Sequence, residues 1–470
     1  MLREELAQEQ PSGEKQPPRV TLRDKLLARQ GTMAYLPIII VVILMFIGAS
    51  WQFTWLHTDA ARYQCYSLTF WLGGSATKLL PGIQCAYLPA GTSTLPPFHA
   101  LPLEYPPLTL VIFSLALFAP LVFYQMAFAI LMALTAVFIY WLLLRYAPRG
   151  AAFAFALYMV IGAWATAEAR FDLVPAALTL LCVIAAGRKR WTYAYIALAF
   201  GFLLKIYPLL FLPVLFIAEQ IDAQRFYIPA QSLTLASLPG EIWHTLRGIR
   251  RWQWKNTLIF FAILLGVTGF FALLDFRGAV LSQLSYFANR PVQVESTGSP
   301  FLFLATHFGI PGHTVYTFGS INIVSALGSP VALVLDVLFV SGYLFTIYLQ
   351  WRGKLDVTQA FIAILLVFIV TGKVFSPQYL MWVIPLLVYS GAYDRFWLIT
   401  WGLISLLTTF IYPYLYTRTL NGLLAPYLPG FMESVAARDA LLAFLTLAYL
   451  FNWFKARDRK ATERVQLDVS

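Results

Sequence analysis

The chain has 470 residues, of which 60% are hydrophobic and only 12% charged, and its net charge is +11. Soluble domains carry about 25% charged residues, so this composition excludes an ordinary soluble protein. The apolar residues fall into runs long enough to cross a hydrocarbon core of about 30 Å, which predicts a polytopic membrane protein. The positive charge is best explained by basic residues that flank membrane spans, because no polar domain carries the basic, aromatic-rich stripe of a nucleic-acid-binding protein.

The chain begins with residues 1–32, which are polar and rich in Gln, Glu and Pro and predict a disordered cytoplasmic tail. The apolar run 33–53 follows too long a tail for an ordinary signal peptide, so we interpret it as an uncleaved first span. A polar and aromatic outer loop, 54–104, comes next. It holds Cys65 and Cys85, for which the sequence leaves a disulfide and two free thiols equally open.

The stretch from Leu108 to Tyr146 is apolar for longer than one crossing needs. Ala119-Pro120 divides it into a non-crossing segment and a full span. A cytoplasmic insertion at 219–255 and a second large outer loop at 276–328 separate later groups of spans. The predicted transmembrane domain, 33–454, has about twelve crossings, at 33–53, 121–145, 151–166, 171–187, 191–204, 206–218, 257–275, 329–350, 357–372, 377–391, 396–413 and 437–454.

The distribution of basic residues predicts the orientation. With the N-terminus inside, 24 of the 33 Lys and Arg residues lie in cytoplasmic segments and 9 in outer or spanning segments. Cytoplasmic loops of membrane proteins carry an excess of Lys and Arg. We therefore predict a multi-pass cell-membrane protein whose N-terminus and C-terminal tail, 455–470, are both cytoplasmic.

Charged residues outside the cytoplasmic flanks are costly in a membrane protein and indicate function. Here they come from separate parts of the chain and gather on the predicted outer side. Each could be an ordinary solvated charge at the end of a loop, but their convergence on one face favours a site. The set comprises His57, Asp59, Arg62, Glu104, Glu168, Arg170, Asp172, Lys205, Arg290, Glu295, His307, His313 and Lys373.

Asp59 lies close to the predicted outer interface, where a carboxylate can take a proton from an incoming hydroxyl group. His57, two residues earlier, could orient this carboxylate or tune its pKa. A structural role is also open, because Thr58 or Asp59 before Ala60 is a plausible helix N-cap. The two roles are compatible.

Lys205 and Lys373 lie in apolar surroundings, and a proline follows each of them. A phosphate group at the membrane surface would bind such cations, together with Arg170 or Arg290. Snorkelling of either lysine to the interface is the alternative.

Five segments together resemble glycosyltransferase family 87, a C-type fold family whose members use polyprenyl-phosphate sugars. The resemblance covers residues 33–454, with the motifs in the family's order. They are Glu104-Tyr105-Pro106-Pro107-Leu108, Arg170-Phe171-Asp172-Leu173-Val174-Pro175, Lys205-Ile206-Tyr207-Pro208-Leu209, Lys373-Val374-Phe375-Ser376-Pro377-Gln378-Tyr379 and, more loosely, Arg290-Pro291-Val292-Gln293-Val294-Glu295-Ser296.

The resemblance implies an all-α C-type glycosyltransferase fold. It also implies transfer of a hexose, usually mannose, from a polyprenyl-phosphate donor to a hydroxyl of a lipid or glycan acceptor on the extracytoplasmic face. An aspartate in the first outer loop would be the general base, which maps onto Asp59. A histidine in the second large loop would lie near a substrate, with His307 the better candidate and His313 the spare.

The predicted site residues divide into three groups: Asp59 and His57 for catalysis; Lys205, Lys373, Arg170 and Arg290 for the donor phosphate; and Glu104, Tyr105, Asp172, His307, Glu295, Gln378 and Tyr379 for substrate. No paired acidic motif surrounds Asp59, so no cofactor is expected and a divalent cation is the less favoured alternative. A secondary transporter or lipid flippase is the alternative function, although such proteins often carry internal repeats that this sequence lacks.

Overall fold

A computed structural model describes residues 33–50, 53–56, 58–88, 91–226, 237–418 and 425–451. This part of the chain is mostly helical, as the composition predicts. Its α-helices are α1 (Leu36–Ala49), α2 (Asp59–Leu72), α3 (Thr109–Leu115), α4 (Tyr124–Tyr146), α5 (Ala151–Gly162), α6 (Trp164–Ala167), α7 (Leu173–Gly187), α8 (Trp191–Leu204), α9 (Leu212–Asp222), α10 (Leu238–Arg247), α11 (Lys255–Leu274), α12 (Ser282–Asn289), α13 (Ser299–His307), α14 (Gly328–Trp351), α15 (Val357–Thr371), α16 (Tyr379–Tyr389), α17 (Arg395–Thr409) and α18 (Phe431–Leu450).

Several of these helices are apolar enough for a membrane. Among the described residues, four helical segments have the length and composition to cross one, namely Leu121–Tyr146, Lys255–Leu274, Gly328–Trp351 and Arg395–Leu415. Shorter apolar helices lie between them, including α7, α8 and α15. The prediction of a membrane-embedded helical protein is confirmed at this level, whereas twelve crossings and the orientation stay predictions.

Proline explains why some predicted spans are shorter or interrupted. The predicted span 206–218 is a 3-10 helix, Tyr207–Phe211, that continues into α9, and each of the two helices has a proline in its first turn. Pro385 lies inside α16, which has 11 residues. Proline has no backbone N–H and clashes with the preceding turn, so apolar sequence alone overestimates the length of a regular helix.

The predicted first outer loop is more ordered than its polar sequence suggests. Helix α2 begins inside it, and the Thr58 side chain caps the helix by accepting a hydrogen bond from the Ala61 N–H at 3.1 Å. Gly74 follows the helix where a Cβ atom would lie 1.8 Å from the Thr92 carbonyl oxygen, so a larger residue does not fit. A disulfide joins Cys65 in α2 to Cys85. Of the two possibilities that the sequence left open, a disulfide or two free thiols, the structure has the disulfide.

The segment predicted as the second outer loop departs from an all-α architecture by one small antiparallel sheet. Its strands are β1 (Val292–Gln293), β2 (Gly312–Thr317) and β3 (Ser320–Ser325), in the order β1-β3-β2. Phe318 and Gly319 both have positive φ and form the two-residue turn between β2 and β3, as in the type I′ hairpins that suit twisted strands. This turn reaches back to the first loop, because a Cβ atom at Gly319 would lie 3.1 Å from Nη1 of Arg62.

The disulfide predicts a simple labelling result. Cys182 is a buried free thiol, and the chain has three cysteines. Protein denatured without reductant should therefore take up one maleimide, and protein denatured after reduction should take up three. Intact-mass spectrometry would count the labels. Uptake of three without reductant would contradict the Cys65–Cys85 bond.

Candidate functional site

Asp59 lies at the first position of α2, where the partial positive charge of a helix N-terminus favours a carboxylate. Two guanidinium groups contact it. Arg170 Nη2 lies 2.5 Å from Asp59 Oδ2, and Arg62 Nη2 lies 3.6 Å from Oδ1. The Asp59 side chain is only 12% exposed. Asp59 is therefore held as a paired carboxylate in a largely desolvated position.

Arg62 connects Asp59 to a second carboxylate. Its Nη1 lies 2.6 Å from Glu104 Oε1, and its guanidinium stacks 3.8 Å over the ring of Tyr87. Burial disfavours the charged guanidinium, but Glu104 and Asp59 outweigh this effect and raise the pKa of Arg62 well above its ordinary value. Arg62 therefore stays charged between the two carboxylates.

Lys205 and Asp172 form a neighbouring buried pair. Lys205 Nζ lies 3.0 Å from Asp172 Oδ1, and the same oxygen accepts a hydrogen bond of 2.7 Å from the Trp382 indole. The ammonium group also lies 4.7 Å from the ring centre of Phe171 and 5.1 Å from that of Tyr105, within cation–π range. The other Asp172 oxygen is buried and has no hydrogen-bond partner within the described part of the chain.

Two tyrosines link these groups into one site. Tyr63 lies one turn along α2 from Asp59, and its hydroxyl oxygen is 3.5 Å from that of Tyr105. Tyr105 in turn faces Lys205. Burial raises the pKa of both phenols, which therefore remain protonated at neutral pH. Tyr63 and Tyr105 therefore form part of the wall of the site as neutral groups, and the carboxylates are the groups that can accept a proton.

A cavity of about 500 Å³ opens beside Glu104, between the two segments predicted as outer loops. Tyrosines, serines and amide groups form much of its wall. Tyr66 donates a hydrogen bond to Glu104 Oε1 at 3.4 Å. The Tyr286 hydroxyl donates to the Phe318 carbonyl oxygen at 2.7 Å, and its oxygen lies 3.3 Å from Glu104 Oε2. The lining residues are Tyr66, Ile83, Ala86, Tyr87, Leu103, Glu104, Ser282, Ser285, Tyr286, Asn289, Tyr316, Thr317, Phe318 and Gly319.

The structure brings several predicted site residues together from distant parts of the sequence. Asp59, Arg170 and Glu104 share the Arg62 network, and Tyr105, Lys205 and Asp172 form the adjoining group. The sequence analysis selected all six because each is a charged residue or a motif residue that lies outside the predicted cytoplasmic segments.

Another predicted group lies near the sheet and α16. Arg290 Nη2 donates to Ser320 Oγ at 2.9 Å, and Lys373 Nζ donates to the Ala288 carbonyl at 3.3 Å. Tyr379 stacks on Trp382 with ring centres 4.1 Å apart, which connects it to Asp172. Gln378 is buried, and its side-chain oxygen has no hydrogen-bond partner among the residues described.

Glu295 is placed in a different environment. It is buried against Arg438, whose Nη1 lies 3.2 Å from Glu295 Oε2, and it accepts a hydrogen bond of 3.0 Å from the Tyr416 hydroxyl. Arg438 also pairs with Asp439 at 2.9 Å. These contacts join the segment predicted as the second outer loop to α18, and the assignment of Glu295 to substrate stays a prediction.

Neither His307 nor His313 joins the Asp59 network. His307 is exposed at the end of α13, with Nδ1 3.2 Å from the Phe303 carbonyl oxygen, and His313 is exposed on β2. His57 lies outside the described residues.

Sequence reasoning gave no role to Arg62, Tyr66, Tyr286 or Trp382. Arg62 had a usable signal, because residues three apart on a helix are neighbours and Asp59 starts that helix. Tyr66 extends the same helix face by one further turn. Tyr286 and Trp382 enter through tertiary contacts, for which the sequence offers no local pattern.

The buried pair at Asp172 predicts a measurable effect on stability. Asp172→Asn keeps an oxygen for Trp382 but leaves the Lys205 ammonium without its counter-charge. We expect a loss of about 3 kcal/mol in the free energy of unfolding, the usual result of breaking a buried ion pair. Equilibrium unfolding in detergent micelles would measure it.

A double-variant cycle with Lys205→Met provides the control. Removing both charges should restore part of the lost stability, because no uncompensated ion remains. Additive losses in the double variant would show that the two side chains do not interact.

The described residues contain no group of three or more His, Cys, Asp and Glu side chains that could hold a metal ion. Comparison with family models gives no match to this chain. Comparison with curated proteins gives no significant match either.

Proposed function

We propose that this protein is a membrane glycosyltransferase. It would move a hexose, most simply mannose, from a polyprenyl-phosphate donor to a hydroxyl of a lipid or glycan acceptor on the outer face. The observation that carries the proposal is the position of Asp59, a largely buried carboxylate that pairs with Arg170 and is connected through Arg62 to Glu104, which lies in the wall of a cavity. The resemblance of five ordered motifs to family 87 supports the same reaction.

The proposed chemistry is a direct displacement at the anomeric carbon of the donor sugar. The acceptor hydroxyl oxygen forms the new bond to this carbon while the bond from the carbon to the phosphate oxygen breaks. Polyprenyl phosphate leaves with the electron pair, and the hydroxyl proton passes to the Asp59 carboxylate. The charge that develops on the leaving phosphate requires cations that are already in position.

Arg170 would serve both substrates in turn. Its Nη2 lies 2.5 Å from Asp59 Oδ2, so the guanidinium occupies one oxygen of that carboxylate. A donor phosphate competes for the same guanidinium, because arginine binds phosphate with charge-assisted, often bidentate hydrogen bonds. Donor binding would then draw Arg170 from Asp59 and leave this oxygen free for the acceptor hydroxyl.

Lys205 lies on the same side as Arg170 and is the next cation for the donor phosphate. Its ammonium is held against Phe171, Tyr105 and Trp382 and keeps 16% side-chain exposure. Arg290 and Lys373 would extend this positive region toward the second loop. The free side-chain oxygens of Gln378 and Asp172 would accept hydrogen bonds from hydroxyl groups of the donor sugar.

The cavity beside Glu104 is the best candidate for the acceptor. Its size falls within the range typical of small-molecule pockets, about 300–1,000 Å³. Aromatic faces, hydroxyl groups and one carboxylate suit a polyhydroxylated ring. Glu104 and Asp59 share Arg62, so an acceptor bound at Glu104 would lie one side chain away from the proposed base.

The first prediction of this proposal concerns Asp59. Purified protein in nanodiscs, given polyprenyl-phosphate mannose and a membrane-lipid acceptor extract, should release polyprenyl phosphate. Asp59→Asn retains the size and an oxygen acceptor but not the basicity, so release should fall by about 10²–10⁴-fold. Release by the variant at the wild-type rate would remove Asp59 from the reaction.

Glu433→Gln is a matched control, because Glu433 is an exposed carboxylate in the first turn of α18. It should release product at the wild-type rate. The wild type and Glu433→Gln could both fail to release polyprenyl phosphate with several lipid-linked sugars. A transporter or flippase would then be the better hypothesis, and a proteoliposome flux assay would test it.

The second prediction concerns Arg170. If its guanidinium binds the donor phosphate, Arg170→Gln should raise the KM for the donor about tenfold or more, the effect of losing a hydrogen bond to a charged group. Arg170→Lys keeps the charge and should recover part of the loss. Steady-state kinetics with varied donor would measure both. An unchanged donor KM in Arg170→Gln would show that Arg170 only pairs with Asp59.

A further inference from the structure

The segment between α9 and α11, predicted as a cytoplasmic insertion, has no place in the proposed reaction. Its described part contains the ten-residue helix α10, a 3-10 turn at Ile249–Arg251, and then the start of α11. Helix α11 is one of the segments long and apolar enough to cross a membrane. The insertion therefore lies directly beside the end of a candidate span.

The segment exposes large apolar side chains. Ile242, Trp243, Leu246, Ile249 and Trp254 are each between 40% and 57% exposed. Thr245 is buried, so the side of α10 that carries it lies against the protein. A short helix with one apolar exposed face is typical of segments that lie in the membrane interface, where tryptophan is also enriched.

The same surface is strongly basic. Arg247, Arg250, Arg251 and Lys255 are all exposed. The turn before α8 adds exposed Arg190, since a hydrogen bond of 2.8 Å from Thr192 to Asn256 joins the starts of α8 and α11. Of the acidic side chains nearby, Asp222 pairs with Lys189 at 2.6 Å and Glu219 accepts a hydrogen bond of 2.6 Å from Asn256. Glu241, in the first turn of α10, is half-buried, so the basic residues outnumber the acidic ones on this surface.

The segment is fixed to the helical core. Gln220 and Gln253 exchange two hydrogen bonds: Gln220 Nε2 donates to the Gln253 carbonyl at 3.1 Å, and the Gln253 N–H donates to Gln220 Oε1 at 2.7 Å. The rings of Trp252 and Trp254 pack on Phe216, 5.5 and 5.1 Å away. The basic side chains are therefore presented by a defined backbone at a fixed place relative to α11.

We infer that this surface, formed by α10, the turn 249–251 and the starts of α8 and α11, binds the headgroups of anionic phospholipids. The apolar side chains would enter the boundary between headgroups and acyl chains. The arginines would contact the phosphates, which they bind with charge-assisted hydrogen bonds. Clustered basic residues beside a membrane span attract anionic lipid through the surface potential of the leaflet. The inference does not depend on the glycosyltransferase proposal.

Native mass spectrometry of the full chain would test it. Protein purified from mixed micelles with equal phosphatidylglycerol and phosphatidylcholine should retain phosphatidylglycerol preferentially. The triple variant Arg247→Gln, Arg250→Gln and Arg251→Gln should retain roughly fivefold less or lower still. Higher salt should reduce the difference in retained phosphatidylglycerol between the wild type and this variant, because salt screens exposed charges.

A second triple variant, Lys78→Gln, Arg277→Gln and Arg418→Gln, removes the same charge from exposed residues outside this surface. It should retain phosphatidylglycerol as the wild type does. If both triple variants lose phosphatidylglycerol equally, net charge alone explains its retention and the inference is wrong. The inference is also wrong if the wild type retains the two lipids equally, or if an acidic peptide binds the surface in place of lipid. Thermal unfolding of each variant checks that the fold is retained.

Discussion

The alternation of opposite charges from Arg170 through Asp59 and Arg62 to Glu104 is the interaction on which the site depends. Largely buried charges are stable only when they are paired, because desolvation of an isolated ion is costly. Each member of the alternation therefore fixes its neighbours, and together they join α2, the turn before α7 and the segment before α3. The same pairing holds the Asp59 carboxylate in place.

The arrangement also separates two kinds of surface. On one side, Lys205 and Arg170 provide positive charge among aromatic rings. On the other, the cavity offers hydroxyl groups and one carboxylate. Asp59 pairs with Arg170 on the first side, and Arg62 connects it to Glu104 in the wall of the cavity.

The sequence predicted the helical class and much of the site for physical reasons. Long apolar runs have few alternatives to helix in a membrane, because each backbone polar group must find a partner within the segment. Asp59, Arg170, Asp172 and Lys205 stood out because charge beside apolar sequence is unfavourable without a partner. The identity of each partner could not be predicted, since Asp172 meets Trp382 only through the packing of distant helices.

Other features were beyond the sequence for similar reasons. The strands β2 and β3 lie in a segment whose sequence predicts a loop. The tight turn between them requires a positive φ at Phe318, and phenylalanine rarely adopts a positive φ. Glu295 was assigned to substrate from a motif, yet its contacts with Arg438 depend on a helix that begins more than a hundred residues later.

The Cys65–Cys85 bond links the site to the chemistry of its surroundings. It holds the segment that carries Tyr87, and Tyr87 both stacks on Arg62 and shares a hydrogen bond of 3.1 Å with Tyr316. Disulfides persist in oxidising compartments and are rare in reducing ones. A chain made in a reducing compartment would complete this wall of the cavity only after the Cys65–Cys85 segment had reached an oxidising one, so formation of the cavity would wait for oxidation.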